Sequence, residues 1–333
     1  MKVFVTGGAG YIGSICVEQL LNRGDEVVVF DNLSEGNRQS VDPRATFIRG
    51  DLKDPPSISL ALERSAPEAV VHFAANALVA ESMVNPGKYF HNNVSGGINL
   101  LEAMIGQGIK RIVFSSTCAT FGISENLPID ENTPQHPINP YGESKLMFEK
   151  ILQWYGQIHG LAFVGLRYFN VAGASENFGE AHQTETHLIP RILQVALGQL
   201  SHVDIFGTDF DTPDGTCIRD YVHVLDLASA HILALSTPKS GFFNLGTGGG
   251  TSVREVLTAC REVSGRPITA LEKPRRAGDP PRLIASSEKA RRDLNWEAKF
   301  ADIKAIVQSA WRWHVAHPFG YQESGVPGRI ESR

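Results

Sequence analysis

Short, nearly continuous apolar runs alternate with longer segments of helical period through the first half of the chain. "KVFVT" (2–6), "EVVVFD" (26–31), "ATFIRGD" (45–51), "AVVHFAA" (69–75), "RIVFSS" (111–116) and "AFVGLRY" (162–168) read as strands. Helical patterns fall between them at 11–23, 57–65, 86–107 and 141–159. The strands run apolar residue after apolar residue rather than alternating. Strands of that kind are buried on both faces, which predicts a parallel sheet with helices on each side. Strand–helix alternation at this spacing is the doubly wound, Rossmann-like α/β pattern.

After about residue 170 the rhythm breaks. "NVAGASENFGEAHQTETH" is polar and is expected to be a long loop, and "FGTDFDTPDGT" (206–216) a second. The stretch 218–246 again reads as strand–helix–strand. The expected division is therefore a dinucleotide-binding domain over 1–170, rejoined by segments around 218–246. A smaller α/β substrate domain covers 171–321, and a polar tail at 322–333 is expected to fray. The C-terminal loops should cover the carboxyl edge of the sheet, where open α/β folds bind ligands.

The first turn carries the strongest chemical signal. "VTGGAGYIG" spaces Gly7, Gly10 and Gly13 three apart and contains G-x-G-x-x-G at Gly8, Gly10 and Gly13. A strand ends at Thr6 and a helix opens near Tyr11 and Ile12. Glycines let the backbone approach a pyrophosphate, which the helix N-terminus holds with its N–H groups and dipole. Asp31 ends the second strand 18 residues after Gly13. A carboxylate there accepts hydrogen bonds from a ribose diol and repels a 2′-phosphate, favouring NAD over NADP. Asp51 could meet the adenine amino group, and Phe73, Ala74 and Ala75 leave room for a cofactor against the backbone. Each of these last two features fits a turn or a tight packing site equally well. Asn32 and Leu52, beside the two carboxylates, complete the expected adenosine side.

"NPYGESK" raises a different possibility. Asn139 suits an N-cap and Pro140 the first helical position. Tyr141, Lys145, Phe148, Leu152 and Tyr155 then share one helix face. On spacing alone that stripe is core, with Lys145 extending its ammonium outward. Alternatively, the ammonium beside the phenol favours phenolate. Drawing a tyrosine from about 10 to near 7 takes roughly 4 kcal/mol. Such a base could accept a proton from a substrate hydroxyl while NAD takes hydride from the same carbon. Ser115, Ser116 and Thr117 end the fifth strand, where a hydroxyl could orient the substrate oxygen or merely cap the strand.

Composition narrows the partners. Net charge is −5 and the pI about 6.1, which argues against a broad nucleic-acid surface. The four cysteines (16, 118, 217 and 260) form no C-x-x-C pair, so neither a metal site nor a disulfide framework is expected. The chain starts directly on a strand, and no apolar run approaches the roughly 20 residues of a membrane span. A cytoplasmic protein is the resulting expectation.

"TGGAGYIG", "FDN", "HFAA", "FSST", "YGESK", "RYFNVAGA", "IRDYVHVLDLA", "FNLGTG" and "RRAGDP" together resemble the extended short-chain dehydrogenase/reductase family, from Met1 to about Tyr321. Y-x-x-x-K marks only the superfamily. "RYFN", "RDYVHV" and "RRAGDP" narrow the resemblance to enzymes of nucleotide sugars. It implies Tyr141 as acid/base, Lys145 as its partner on the nicotinamide ribose, and Thr117 against the sugar 4-oxygen. It further implies cofactor contacts at Asn92, Ser115 and Tyr168, and substrate contacts at Phe169 and Asn170. Leu188, Phe206, Arg219, Arg276 and Asp279 would hold a UDP group, the arginines on its diphosphate. Without the resemblance both arginines read as surface ion-pair residues. The implied reaction is reversible inversion at C4 of a UDP-hexose (UDP-glucose and UDP-galactose) through a transient 4-keto sugar. The implied assembly is a homodimer through helices 86–107 and 141–159.

Some positions depart from the family pattern. Ala77 stands where some relatives carry a cofactor-side lysine. Leu283 stands where some carry a tyrosine whose size affects an N-acetyl group, which leaves UDP-N-acetylglucosamine open, along with UDP-xylose and UDP-glucuronate. A 4,6-dehydratase would need Asp-Glu after Thr117, where this chain has Cys118 and Ala119. A non-catalytic NAD-sensing protein would commonly lack the tyrosine or the lysine, and both are present.

Overall fold

A computed structural model describes residues 1–124, 126–276 and 278–321. The expectation for the 322–333 tail lies outside the described residues. The first six strands, β1 (Lys2–Thr6), β2 (Glu26–Asp31), β3 (Thr46–Arg49), β4 (Ala69–His72), β5 (Arg111–Thr117) and β6 (Ala162–Tyr168), fall where the apolar runs predict them. Short strands follow at β7 (Asn170–Ala172), β8 (Val203–Phe206), β9 (Ile218–Arg219) and β10 (Tyr221–His223), then β11 (Gly241–Leu245). One 7-stranded sheet runs in the order β11-β6-β5-β4-β1-β2-β3, every neighbour parallel. The strand order reverses between β1 and β4, and crevices for ligands open at such a point.

Both faces of the sheet are covered, which explains the unbroken apolar strands. Val3, Val5, Val29, Val71 and Val113 pack under α1 (Tyr11–Asn22) and a later helix, Val224–Ser236. Phe4, Val28, Phe30, Val70 and Ile112 face the opposite way, toward Leu62 of α2 (Pro55–Ser65) and toward Leu101, Phe148 and Leu152. Near-complete burial of a Val or Phe side chain contributes about 1.5–3 kcal/mol. The alternate faces of each strand thus anchor two separate helical layers.

Two boundaries differ from the sequence reading. The apolar run at 86–107 is not one α-helix. It comprises α3 (Val79–Val84) just upstream, α4 (Pro86–Tyr89), a π-helical turn at Phe90–Ser95, and α5 (Gly96–Gly106). The widened turn carries buried Asn93, whose amide donates to Asn76 O and Ser144 Oγ at 3.0 Å each. A side chain bonded on both flanks explains why a regular helical register gives way there. Strands β3 and β4 also stop before Gly50 and Phe73, so "GD" and "FAA" form the rim beyond the sheet.

Helix α6 (Pro140–His159) begins as its sequence predicts: Asn139 Oδ1 accepts from Gly142 N at 2.8 Å, and Pro140 occupies the first turn. Beyond it lie α7 (Leu188–Ala196), α8 (Val224–Ser236), α9 (Val253–Ser264), α10 (Glu288–Leu294) and α11 (Ile303–Ala316). Ile192, Leu193, Val256, Cys260, Ile306 and Val307 join α7, α9 and α11 in a separate core. Strands β12 (Thr251–Ser252), β13 (Ala270–Lys273) and β14 (Arg282–Leu283) complete the chain, in small sheets ordered β12-β9-β14 and β13-β8. No helix among the described residues is long and apolar enough to cross a membrane.

Candidate active site

The glycine loop is held by close approach. Gly7 has φ +74°, and a Cβ there would stand 2.4 Å from Ala74 N. A Cβ on Gly13 would reach Gly7 O at 2.2 Å, so the start of α1 can press onto the strand end only without one. Around Gly10, by contrast, the nearest atom to such a Cβ is Gly7 O at 3.4 Å, and the backbone faces the cleft. The 12-residue α1 has neither a side-chain N-cap nor an acidic residue in its first turn. Its leading N–H groups at Tyr11, Ile12 and Gly13 are thus left to an anionic group.

Gly7, Gly10, Asp31, Asn32, Asp51 and Leu52 line one cleft. Phe73, Ala74, Ala75 and Asn92 line the same cleft. A narrow trough with a free helix terminus at one wall and a carboxylate at the other fits a dinucleotide. Asp31 does more than the sequence reading assigns to it. Its two oxygens accept from Ala9 N at 3.0 Å and Leu33 N at 2.8 Å. Leu33 adopts φ +62°, a turn few non-glycine residues enter, and the carboxylate pins it. Burial raises the Asp31 pKa, and those two N–H bonds oppose the rise. Asn32 Nδ2 donates to Asp51 Oδ2 at 3.0 Å, tying the ends of β2 and β3 together. Arg38 is turned onto the Phe47 ring at 4.6 Å, away from the carboxylates.

The catalytic candidates meet at the carboxyl end of β5. Tyr141 and Lys145 are both buried. A Cβ on Gly142 would stand 2.4 Å from Ala119 O, so the first turn of α6 seats against the 118–120 turn. That seating brings the Tyr141 phenol near the Thr117 hydroxyl. Lys145 Nζ donates to Ser115 O at 2.8 Å and lies 4.8 Å over the Phe114 ring. Ser115 Oγ and the Tyr168 hydroxyl share a 2.6 Å hydrogen bond.

The electrostatics correct one expectation. Burial, then the neighbouring Tyr168, raise the Tyr141 pKa above its ordinary value, against a lowering hydrogen bond from Thr117. Burial pushes Lys145 down to about 7, with the Glu149 charge opposing. Behind Lys145, Arg167 grips Glu149 through two bonds of 2.9 and 2.7 Å, and Ser116 Oγ donates to the same carboxylate at 2.6 Å.

The substrate candidates divide. Phe169 packs with Phe121, Ile129 and Ala285, and with part-buried Cys118 and Leu283. Arg219 is almost fully buried, bonded to Asp279 and to the carbonyls of Ile218 and Pro280. Its sequence reading as a surface ion pair is therefore corrected: the partner is acidic, but the setting is interior. Arg276 is exposed and stacks 3.9 Å over the Phe206 ring, joining two of the expected residues. Asn170 N donates to Asp220 O at 2.9 Å. Leu188 opens α7 and packs into the separate C-terminal core.

Sequence reasoning missed several residues. Phe30, Ser34, Glu35, Gly36 and Asn76 line the same cleft. The signal at Gly36 is weak from sequence, yet a Cβ there would stand 2.8 Å from Ala9 O. Buried Asp220 accepts from Thr247 N at 2.7 Å, Gly248 N at 3.0 Å and Ala285 N at 3.1 Å, joining three separated segments beneath the substrate side.

With that geometry, the comparisons with known proteins agree. Residues 3–246 match the model of the NAD dependent epimerase/dehydratase family. The UDP-glucose 4-epimerase of Lacticaseibacillus casei is 54% identical over 327 residues, spanning 96% of this chain and 99% of that protein. The structure of UDP-glucose 4-epimerase from Brucella ovis in complex with NAD superposes with a TM-score of 0.91 at 44% identity, covering 96% and 98% of the two chains. That from Bifidobacterium longum in complex with NAD+ and UDP gives a TM-score of 0.91 at 36% identity, covering 96% and 100%.

Proposed function

The chain belongs to the NAD dependent epimerase/dehydratase family, and from that premise we propose that it inverts C4 of a UDP-hexose, interconverting UDP-glucose and UDP-galactose with NAD as its bound cofactor. The observation that carries this reading is buried Tyr141 in the first turn of α6, seated against the Cys118–Thr120 turn that follows Thr117 at the end of β5. The residue after Thr117 is a thiol that burial pushes up to about 12, not a carboxylate. One acid/base with one orienting hydroxyl suffices to oxidise and re-reduce a carbinol, whereas dehydration needs a second proton carrier.

Gly7, Gly10 and the first N–H groups of α1 would hold the pyrophosphate. Asp31 and Asn32 would meet the adenosine ribose, and Asp51 and Leu52 the adenine. NAD, held there, would supply the hydride acceptor and donor for C4 and a positive charge that favours the Tyr141 phenolate. Tyr141 takes the 4-hydroxyl proton and later gives it back, with Thr117 holding the oxygen. Lys145 steadies the phenolate as it forms, since an opposite charge nearby lowers a phenol's pKa. Ser115 and Tyr168, bonded to each other, border the nicotinamide end. Phe169 and Asn170 flank the sugar, and Leu188 and Phe206 border the nucleoside. Arg276 offers the diphosphate a free guanidinium. Arg219 would share its charge between the diphosphate and Asp279, so that substrate replaces part of an existing ion pair.

The outer face of α6 carries Trp154 and Ile158, 62% and 68% exposed, with Met147 on the same helix. We infer a homodimer through the 86–107 segment and α6, read out as a dimer mass by light scattering at micromolar concentration. The four free cysteines suit a reducing, cytoplasmic setting. The test of function is conversion of UDP-galactose to UDP-glucose by purified protein with no reductant added. A product lacking the 6-hydroxyl would point to dehydration instead.

A further inference from the structure

The loop that leads into α7 gathers four ligand-type side chains in the order E-x-H-x-x-E-x-H: Glu180, His182, Glu185 and His187. Their donor atoms all lie within 4.8 Å of one another. His182 Nδ1 stands 3.3 Å from a Glu180 oxygen and 3.2 Å from a Glu185 oxygen. His187 Nδ1 stands 3.3 Å from Glu185 and 2.7 Å from Glu180. In a tetrahedral zinc site with bonds of about 2.0–2.1 Å, neighbouring ligand atoms are about 3.3–3.4 Å apart. With one oxygen taken from each carboxylate, two of these contacts already have that spacing, the 2.7 Å His187–Glu180 hydrogen bond must open by about 0.6–0.7 Å, and the remaining pairs lie within 4.8 Å.

The surroundings favour a cation over a surface ion pair. The Glu180 and Glu185 side chains are only 5% and 8% exposed, and their charged neighbours among the described residues are the two histidines. Neither an arginine nor a lysine of the described residues forms an ion pair with them. Two carboxylates match the charge of one divalent ion. Two imidazoles select a borderline metal such as zinc rather than magnesium or calcium, which take oxygen donors. The loop is also pre-formed. Trp313 fills the space beside Gly179, and the Tyr321 hydroxyl bonds Gly179 N and O at 3.1 Å each. Asn37 Nδ2 holds Ala181 O at 3.1 Å, from the stretch that follows Asp31. Tyr11, in the glycine loop, packs edge-on to the His182 ring at 6.2 Å and bonds Gly173 O at 2.6 Å.

We propose that Glu180, His182, Glu185 and His187 bind one divalent cation of the zinc type, which clamps the 179–187 loop between the cofactor-side turn and the first turn of α7. The site is structural: it stands apart from Tyr141 and takes no part in proton transfer. Leu188, the residue after His187, opens α7. The four cysteines gave no hint of a metal site because none of its ligands is sulfur.

The test uses untagged full-length protein. It is equilibrated with zinc, freed of loose metal by gel filtration and counted by mass spectrometry of the metal. The site predicts about one zinc per chain, a higher thermal midpoint with zinc than after chelation, and at least tenfold weaker binding in both His182→Gln and Glu185→Gln. Cobalt in place of zinc gives the intense visible bands of a tetrahedral site without thiolate absorption, which decides the matter on unmutated protein if a variant misfolds. Zinc retained equally by both folded variants, a thiolate band with cobalt, or no retained metal would overturn the proposal and leave two histidine–glutamate ion pairs.

Discussion

At the glycine turn of the cleft, Gly7, Gly10 and Gly13 lie close together in the chain and act through backbone alone. The candidate sugar-side residues, Thr117, Tyr141, Phe169, Arg219 and Asp279, come from five separate segments and would act through side chains. The first region is a shape, in which glycines create room and a helix terminus supplies donors. The second is a set of polar groups from distant segments, of which Arg219 is already bonded to Asp279. On the proposed function, the glycine turn is ready as folded, and Arg219 must give up part of its Asp279 contact when substrate enters.

Substitutions at the two ends should separate along that line. Tyr141→Phe removes only the proton carrier. Its kcat should fall by about 10²–10⁴-fold while NAD content and thermal midpoint stay unchanged. Near-normal turnover would remove Tyr141 from the chemistry. Gly7→Ala acts at the opposite end. A Cβ 2.4 Å from Ala74 N at φ +74° should cost about 3 kcal/mol of stability and release NAD, as read by denaturant midpoints and bound nucleotide.

Lys145→Met should lose turnover yet make the NAD-free protein more stable by roughly 2 kcal/mol, because a buried cation is removed. The sign follows from a folded pKa of about 7 against an ordinary 10.5. The unfolded chain holds the extra proton between those values, so the penalty is full below pH 7 and fades as pH rises toward 10.5. The stability gap between variant and wild type should narrow from pH 7 to 9, and a constant gap would mean Lys145 is not held as a strained base. Asp31→Asn should show the smallest effect, roughly tenfold weaker NAD binding, since one of the Ala9 and Leu33 N–H groups then faces an amide donor.

The same contrast explains what was legible in the sequence. The doubly wound sheet and the glycine turn were readable because both arise from local spacing: period two or unbroken runs for strands, three glycines for the turn. The Asn139 cap and the Tyr141 stripe were readable for the same reason. The π-helical turn at Phe90–Ser95 was not, because it answers to Asn76 and Ser144, which lie in other segments. The raised phenol and lowered ammonium were misjudged because spacing places Lys145 near Tyr141 but says nothing of burial. Arg219 became a substrate candidate only through family resemblance, since its interior setting arises from β9 pairing with β12 and β14. The metal-type cluster was hidden in a loop that reads as merely polar.

The central claim is that C4 is oxidised and re-reduced within one closed site, and a label follows that carbon directly. UDP-galactose carrying deuterium at C4, incubated in ordinary water with the purified protein, should yield UDP-glucose with the deuterium still at C4 by proton and deuterium NMR. Inversion with loss of the label to water, or no inversion at all, would contradict the account.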